Sequence, residues 1–143
     1  GIFASTWFGR LADRHGRGAM LSAATGLALA GLLLTLSDSL IVLVAGIVVF
    51  TFGFFAAHAV ASGWVGQMAR GYKALAASLY LLVYYVGSSV LGALGGHFWT
   101  TGLWPGVAAM AGGLLLLALA ISASLYWRTG RAPASAAVGG EVS

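Results

Sequence analysis

Four long apolar runs without acidic or basic residues limit what this chain of 143 residues can fold into. They cover residues 19–37, 40–69, 74–96 and 104–127. An α-helix rises about 1.5 Å per residue, so about 20 apolar residues cross the roughly 30 Å hydrocarbon core of a bilayer. The runs therefore predict an all-α membrane protein with about four complete transmembrane helices.

The overall composition agrees with a membrane protein. Hydrophobic residues make up 60% of the chain and charged residues only 7%, which is too little charge for the surface of a soluble domain of this size. The net charge of +4 comes from basic residues that flank the apolar runs. Basic residues at such positions orient helices in a bilayer, so we expect a lipid bilayer as partner and no nucleic acid.

The sequence lacks the side chains that catalysis would need. It has no cysteine, no phosphate-binding motif and no acidic residue within the four runs, so neither nucleophilic nor acid–base chemistry has its groups. Its three histidines are too far apart in the sequence to suggest a metal site. We therefore expect a protein that is not an enzyme and that binds no cofactor and no metal.

The polar segment 9–18, GRLADRHGRG, contains three of the seven basic residues of the chain. Gly16 marks a turn, because glycine tolerates positive φ, and Gly9 lets a helix end approach a neighbouring backbone. Asp13 can pair with a nearby arginine or with a helix N-terminus. Taken alone, the segment is also compatible with an ordinary basic loop of a membrane protein.

The same segment resembles the loop signature of the major facilitator superfamily of secondary transporters, roughly G-x-L-A-D-R-x-G-R-[KR], and departs from it at Gly18. In that family the signature lies between the second and third helices and recurs between the eighth and ninth. Its aspartate and arginines form a conformational latch on the cytoplasmic side, between the two halves of the transporter. The resemblance makes the following residues latch candidates: Gly9, Asp13, Arg14, Gly16 and Arg17.

A second resemblance covers the stretch from Phe50 to Gly96, which is similar to the tenth and eleventh helices of bacterial drug:proton or sugar efflux permeases. It implies the C-terminal part of a major facilitator helical bundle. Residues 1–8 would then end a truncated transmembrane helix, and 40–127 would be the last three-helix repeat. Residues 128–143 would be a tail without fixed structure. The second to sixth helices are the competing placement, because the signature is well preserved.

The distribution of basic residues predicts the orientation of the helices. Lys and Arg occur in segment 9–18, around Tyr72 and in the tail, but neither around Asp38 nor in the uncharged connector 97–103. Cytoplasmic loops of membrane proteins carry the excess of basic residues. We therefore expect the three basic segments, the C-terminus included, on the cytoplasmic side of a bacterial-type inner membrane.

The run that begins at Leu40 contains a polar stripe: Thr51, Phe55, His58 and Ser62 fall within about 40° of each other around a helix, or beside that arc. A polar stripe in a membrane helix is expected to face protein or water. Imidazole gains and loses a proton near neutral pH, so the stripe is predicted to line a substrate cavity, with His58 in proton coupling. The alternative is a structural histidine that bonds to Ser62, Thr51 or a backbone group.

The next run offers two further sets of residues. Tyr80 and Tyr84 share a helix face and are candidates for substrate contact, with core packing or interface anchoring as equal alternatives. Ser88, Gly92 and Gly96 repeat a small residue every fourth position, which predicts close helix packing. Glycines in this run also loosely resemble the antiporter signature of the fifth helix.

Together these patterns predict a secondary transporter that exports a small molecule by alternating access, driven by protons. The expected partners are the missing N-terminal half of the same transporter, the small-molecule substrate and protons. The alternatives are a helical membrane module that assembles with partners and transports nothing, and an inactive transporter fragment. A small self-dimerising multidrug exporter would need a membrane-embedded glutamate, which the four runs lack.

Overall fold

The computed structural model describes residues 16–69 and 71–129 of the chain. These residues form three α-helices: α1 is Arg17–Leu34, α2 is Leu40–Met68 and α3 is Lys73–Thr129. All three are long and apolar enough to cross a membrane. The predicted all-α membrane fold is confirmed.

A break at Leu103 divides α3 into two segments, which we call α3a (73–102) and α3b (104–129). Leu103 has φ 52° and ψ −147°, which is not a helical conformation. Pro105 follows two residues later, and a proline inside a helix removes one backbone hydrogen bond while its ring clashes with the carbonyl four residues earlier. The proline therefore accounts for the position of the break.

The chain reverses direction at this break. A Cβ atom added to Gly95 would lie 3.6 Å from Cε of Met110, although the two residues would be about 22 Å apart in a straight helix. The 57 residues of α3 would extend about 85 Å if unbroken, nearly three times the hydrocarbon thickness of a bilayer. As a hairpin, α3a and α3b instead provide two spans, which gives four spans in the described chain.

The helix limits differ from the prediction at two places. The connector predicted at 97–103 is helical through residue 102, so His97 lies in α3a. Thr100 and Thr101 there donate their hydroxyl hydrogens to the carbonyl of His97, at 2.8 and 3.1 Å, and so remain compatible with the helix. The predicted loop 9–18 ends earlier than expected, because α1 already begins at Arg17.

Gly16 sets the beginning of α1. Its φ of 88° lies in the left-handed region, which glycine enters without the steric cost of a Cβ atom. This is the residue at which the sequence indicates a turn. Gly71 has the same φ of 88° in the turn between α2 and α3, so a glycine sets the direction of the chain before each of these two helices.

The helices α1 and α2 pack with their backbones in contact. A Cβ atom at Gly53 would lie 2.5 Å from the backbone nitrogen of Ala28 and 2.8 Å from the carbonyl oxygen of Ala24, and one at Gly46 would lie 2.8 Å from the carbonyl oxygen of Gly31. These alanines are fully buried. Because apolar side chains gain little by leaving lipid, small residues that allow close van der Waals contact provide much of helix association in membranes.

The helix α1 also packs antiparallel against α3b. Ser22 and Ser122 place their hydroxyl oxygens 3.0 Å apart. At the other end of the pair, Nε1 of Trp104 donates to the carbonyl oxygen of Thr35 at 3.1 Å and to its hydroxyl oxygen at 3.2 Å. The hydrogen bonds thus join α1 to α3b near both ends, so α1 contacts both α2 and α3b.

The beginning of α1 and the end of α3b lie on one side of the bundle. A Cβ atom at Gly18 would lie 3.0 Å from Cα of Tyr126, and one at Gly63 would lie 3.3 Å from Nη1 of Arg17. Because successive spans run in opposite directions, the end of α2 and the beginning of α3 are on this side as well. The helix ends next to the predicted basic segments therefore share one side, and the assignment of that side to the cytoplasm stays a prediction.

Several predicted features lie outside the described residues. They are the helix end at 1–8, most of segment 9–18, Arg70, and the part of the tail after residue 129. The boundaries and roles given to them from the sequence remain predictions.

Replacing Gly53 with alanine is expected to push α1 and α2 apart, because the new methyl group would lie 2.5 Å from the backbone nitrogen of Ala28. We expect the free energy of unfolding to fall by about 1 to 3 kcal/mol, as at other overpacked positions. Gly26→Ala is the matched control, since nothing lies within 4 Å of its Cβ position. Unfolding of the full-length protein by SDS in mixed micelles, followed by circular dichroism, measures both, and equal stability of the two variants would contradict the packing.

Replacing Leu103 with glycine is expected to raise the free energy of unfolding by about 1 kcal/mol, because residues other than glycine are strained in this backbone conformation. The Leu103 side chain is 64% exposed, so little packing is lost. Leu117→Gly is the control: this side chain is 59% exposed in the regular helix α3b, and glycine there should cost about 1 kcal/mol. The same unfolding measurement tests both variants. A lower free energy of unfolding for both would refute the strained conformation at Leu103.

Candidate functional site

The site is centred on His58, which lies in the second half of α2 and faces α3a. The hydroxyl of Tyr80 lies 2.9 Å from Nδ1 of His58 and 3.5 Å from the backbone carbonyl oxygen of the same residue. If the ring proton of His58 is on Nε2, the Tyr80 hydroxyl donates to Nδ1, and if it is on Nδ1, the hydroxyl oxygen accepts. This hydrogen bond joins α2 to α3a between two apolar surfaces.

Aromatic rings surround the imidazole. The ring centre of Tyr84 lies 4.9 Å from that of His58, and the ring centre of Tyr80 lies 5.3 Å away. Phe54, one helical turn before His58, stacks on it at 6.3 Å with an angle of 16° between the ring planes. The imidazole is therefore held between α2 and α3a by ring contacts as well as by its hydrogen bond.

His58 and Tyr80 lie between two cavities. The larger, of about 390 Å³, is an open cleft between α1, α2, α3a and α3b. Its lining residues are Leu21, Thr25, Ala28, Phe54, Ala57, His58, Ala61, Tyr80, Leu115, Ala118, Ile121 and Ser122. The smaller, of about 290 Å³, is lined by His58, Ser62, Gly66, Ala77, Tyr80 and Leu81. We call them the inner cavity and the side cavity.

The other polar groups of the inner cavity belong to α1 and α3b. Thr25 donates its hydroxyl hydrogen to the carbonyl of Leu21 at 2.8 Å. Ser122 donates to the carbonyl of Leu119 at 3.0 Å. Its hydroxyl oxygen also lies 3.0 Å from that of Ser22, and either hydroxyl of this pair could be the donor. Both hydroxyls therefore have a hydrogen-bonding partner, as His58 and Tyr80 have in each other.

The structure brings together part of the predicted polar stripe. His58 and Ser62 line cavities, and Ser62 donates to the carbonyl of Ala59 within its own helix at 3.2 Å. Thr51 and Phe55 are exposed and are not among the residues that line either cavity. The partner of His58 is a tyrosine on another helix, and not Ser62 or Thr51 as the structural alternative supposed.

The other predicted site residues have no common location. Ser88, Gly92 and Gly96 are exposed, and within the described chain nothing lies within 4 Å of a Cβ atom at Gly92 or Gly96. The helix packing predicted for them is therefore not made with α1, α2 or α3b, and it stays a prediction.

The latch candidates are described only in part. Gly9, Asp13 and Arg14 lie outside the described residues. Gly16 sets the beginning of α1, and Arg17 occupies its first turn beside Gly63. Among the described residues no group of His, Cys, Asp or Glu is arranged to hold a metal ion.

Sequence reasoning missed Phe54, Thr25 and Ser122. A signal for Phe54 was present, because it precedes His58 by four residues and so shares its helix face. No local signal marked Thr25 or Ser122. Their place in the cavity wall depends on how α1 and α3b pack.

Four antiparallel apolar spans, with a half-buried histidine between α2 and α3a, are typical of a multi-pass helical membrane protein. The chain is 48% identical over 125 residues to the MFS-type transporter YybF of Bacillus subtilis, a match that covers 87% of this chain and 31% of that protein. It is 38% identical over 125 residues to a transporter of Buchnera aphidicola from Schizaphis graminum, covering 87% of this chain and 30% of the relative. It is 50% identical over 76 residues to the inner membrane transport protein YnfM of Escherichia coli K12, covering 53% of this chain and 18% of the relative.

The chain belongs to the major facilitator superfamily of membrane transporters. It spans about 31% of the length of YybF. No family model and no solved structure matches the chain. The predicted family is confirmed by the named transporters, which also agree with the prediction of a transport protein in a membrane.

The hydrogen bond between His58 and Tyr80 is expected to stabilise the contact of α2 with α3a. In a double-mutant cycle with His58→Phe and Tyr80→Phe, we expect a coupling energy of about 0.6 to 1.7 kcal/mol, the range found for hydrogen bonds between membrane helices. A parallel cycle of His58→Phe with Tyr84→Phe is the control, because Tyr84 contacts the imidazole through its ring. Equal coupling in both cycles would show that ring contact alone joins the helices.

Proposed function

We propose that this chain is the C-terminal part of a proton-coupled exporter that moves a small molecule across a bacterial-type inner membrane by alternating access. The resemblance of residues 50–96 to helices of efflux permeases supports the direction of transport and the placement in the C-terminal half. The relative YnfM is named an inner membrane transport protein, which supports the location. The proposal contains no catalytic step.

The observation that carries the proposal is the position of His58 between two cavities and against another helix. A proton-coupled transporter needs a group that can be protonated where the helices move and where the substrate lies. Polar and ionisable residues inside membrane helices are costly and mark such pathways. His58 satisfies these conditions within one short stretch of α2.

If the proton of the neutral ring is on Nε2, protonation would reverse the hydrogen bond between His58 and Tyr80. In a protonated imidazole both ring nitrogens are donors, so Nδ1 would donate to the oxygen of Tyr80. The hydroxyl hydrogen of Tyr80 must then turn to another acceptor, and the carbonyl oxygen of His58 lies 3.5 Å away. Proton uptake would therefore change the contact of α2 with α3a without the loss of a hydrogen-bonding partner.

The remaining partners of the proposal are the N-terminal half, the substrate and protons. Gly9, Asp13, Arg14, Gly16 and Arg17 would form the conformational latch at the cytoplasmic side, where Arg17 begins α1. The N-terminal half would cover surfaces that the described residues leave open. Those surfaces include Thr51 and Phe55 on α2, together with Ser88, Gly92 and Gly96 on α3a.

Replacing His58 with glutamine in the full-length protein is expected to abolish transport driven by a pH gradient, because glutamine keeps hydrogen-bonding capacity but takes up no proton. The test uses everted membrane vesicles energised by respiration, with a fluorescent pH probe. The compound added is one against which the unsubstituted protein protects growing cells. We expect at least a tenfold smaller proton release on its addition.

His97→Gln is the matched control, because His97 is exposed and does not line either cavity. It should transport as the unsubstituted protein does, at equal amounts of protein in the membrane. Undiminished coupling in the His58→Gln protein would remove the proposed role of this residue.

The sequence of the native locus upstream of Gly1 tests the placement, since an open frame for roughly seven more helices is expected.

A further inference from the structure

The hydrogen bond between His58 and Tyr80 fixes only one atom of the imidazole. It joins Nδ1 to the tyrosine hydroxyl at 2.9 Å. A histidine in a helix has two common rotamers about its Cα–Cβ bond, so rotation there would carry the whole ring away from α3a. A hydrogen bond between membrane helices favours its own geometry by about three- to eighteenfold. If the rotamers are otherwise equal, this bond alone leaves about 5 to 25% of the molecules with the ring turned away.

The ring of Tyr84 is the nearest of the three aromatic rings that contact the imidazole. The two ring centres lie 4.9 Å apart, compared with 5.3 Å for Tyr80 and 6.3 Å for Phe54. Aromatic rings attract each other at about 4.5 to 7 Å, and one such pair favours its own geometry by about two- to twelvefold. With both contacts, only about 0.5 to 14% of the imidazole rings are turned away from α3a.

The contact of Tyr84 with His58 is made by the ring and not by the hydroxyl. Tyr84 follows Tyr80 by four residues and therefore lies on the same face of α3a, one turn further along. Within the described part of the chain its hydroxyl has no hydrogen-bonding partner. Tyr84 also lines neither the inner cavity nor the side cavity.

We infer that Tyr84 is a positioning residue whose ring holds the imidazole of His58 against Tyr80, and that its hydroxyl takes no part in transport. The inference rests on the proposed role of His58 in proton coupling and adds a second residue of α3a to it. Of the roles that the sequence leaves open for Tyr84, it selects packing against another side chain over contact with the substrate.

The first experiment measures the leak, which is substrate movement that no proton movement accompanies. It uses the full-length protein in everted vesicles without respiration, loaded with the compound chosen for His58→Gln. Tyr84→Leu removes the ring, so the imidazole is turned away from Tyr80 more often, and the leak should rise about two- to tenfold. The substrate concentration that gives half of the maximal rate should not change.

Two further variants serve as controls for the leak. Tyr84→Phe keeps the ring and removes only the hydroxyl, so it should couple substrate to protons as the unsubstituted protein does. Tyr72→Leu makes the same change as Tyr84→Leu at a side chain that is 73% exposed in the turn before α3, and its leak should stay low.

The second experiment measures the orientation of the imidazole by NMR, on the full-length protein with ¹⁵N-labelled histidine in lipid nanodiscs. The signals of His58 are those that the His58→Gln protein lacks. We expect the Nδ1 signal of a hydrogen-bonded nitrogen in the unsubstituted protein and in Tyr84→Phe. In Tyr84→Leu it should move towards the position of a nitrogen without that bond.

A leak as large in Tyr84→Phe as in Tyr84→Leu would overturn the inference, and so would a Tyr84→Leu protein with an unchanged leak and an unchanged Nδ1 signal. If Tyr84→Leu is not inserted into the membrane, Tyr84→Met takes its place, because methionine also lacks the ring. The proposed function fails separately. Full coupling in His58→Gln, together with a changed Nδ1 signal in Tyr84→Leu, would keep the positioning of the ring and remove the role of His58 in transport.

Discussion

The backbone contact between α1 and α2 is the interaction on which the rest of the described structure depends. Gly31, Gly46 and Gly53, together with buried alanines, let the two helices approach until a single added methyl group would collide with backbone atoms. In lipid there is little gain from collecting apolar side chains, so such a contact is stabilised by van der Waals packing. The contact therefore depends on positions that carry no side chain or only a methyl group.

This contact also fixes the rotation of α2 about its own axis. With Gly53 and Ala56 turned to α1, the adjoining positions Ala57, His58 and Ala61 face the inner cavity. The polar bonds of α1 to α3b then determine how wide that cavity is. The direction in which His58 points therefore depends on the small residues of α2 that pack against α1.

The sequence was sufficient for the class of fold and insufficient for the arrangement of the site. Hydropathy alone predicts the spans, because about 20 apolar residues have few alternatives to a membrane helix. His58 was recognisable because a polar residue in an apolar helix requires a partner. Its partner was not, since Tyr80 lies 22 residues away on another helix and the pairing depends on helix packing.

Two differences between prediction and structure have a common physical origin. Phe54, which the prediction left out, stacks on His58, whereas Phe55, about 100° away around the helix, lines neither of the two cavities. The roles predicted for Thr51 and Phe55 stay predictions. The connector expected at 97–103 was placed by composition, but its threonines bond back to their own helix and only Pro105 enforces a break. Composition predicts the type of a segment well. It predicts poorly which way a residue points around the helix and at which residue the helix ends.

The break at Leu103 sets how a tilt of α3a displaces its residues, which distinguishes α3a from the other spans. The end of α3a at the break is held, since the adjoining Trp104 is bonded to α1, while Tyr80 lies about 35 Å back along the helix. At that distance a tilt of about 5° moves the tyrosine by about 3 Å, more than the tolerance of a hydrogen bond. A small rotation of α3a near one surface of the membrane therefore produces a larger displacement near the other surface. There it changes the length of the hydrogen bond between Tyr80 and His58.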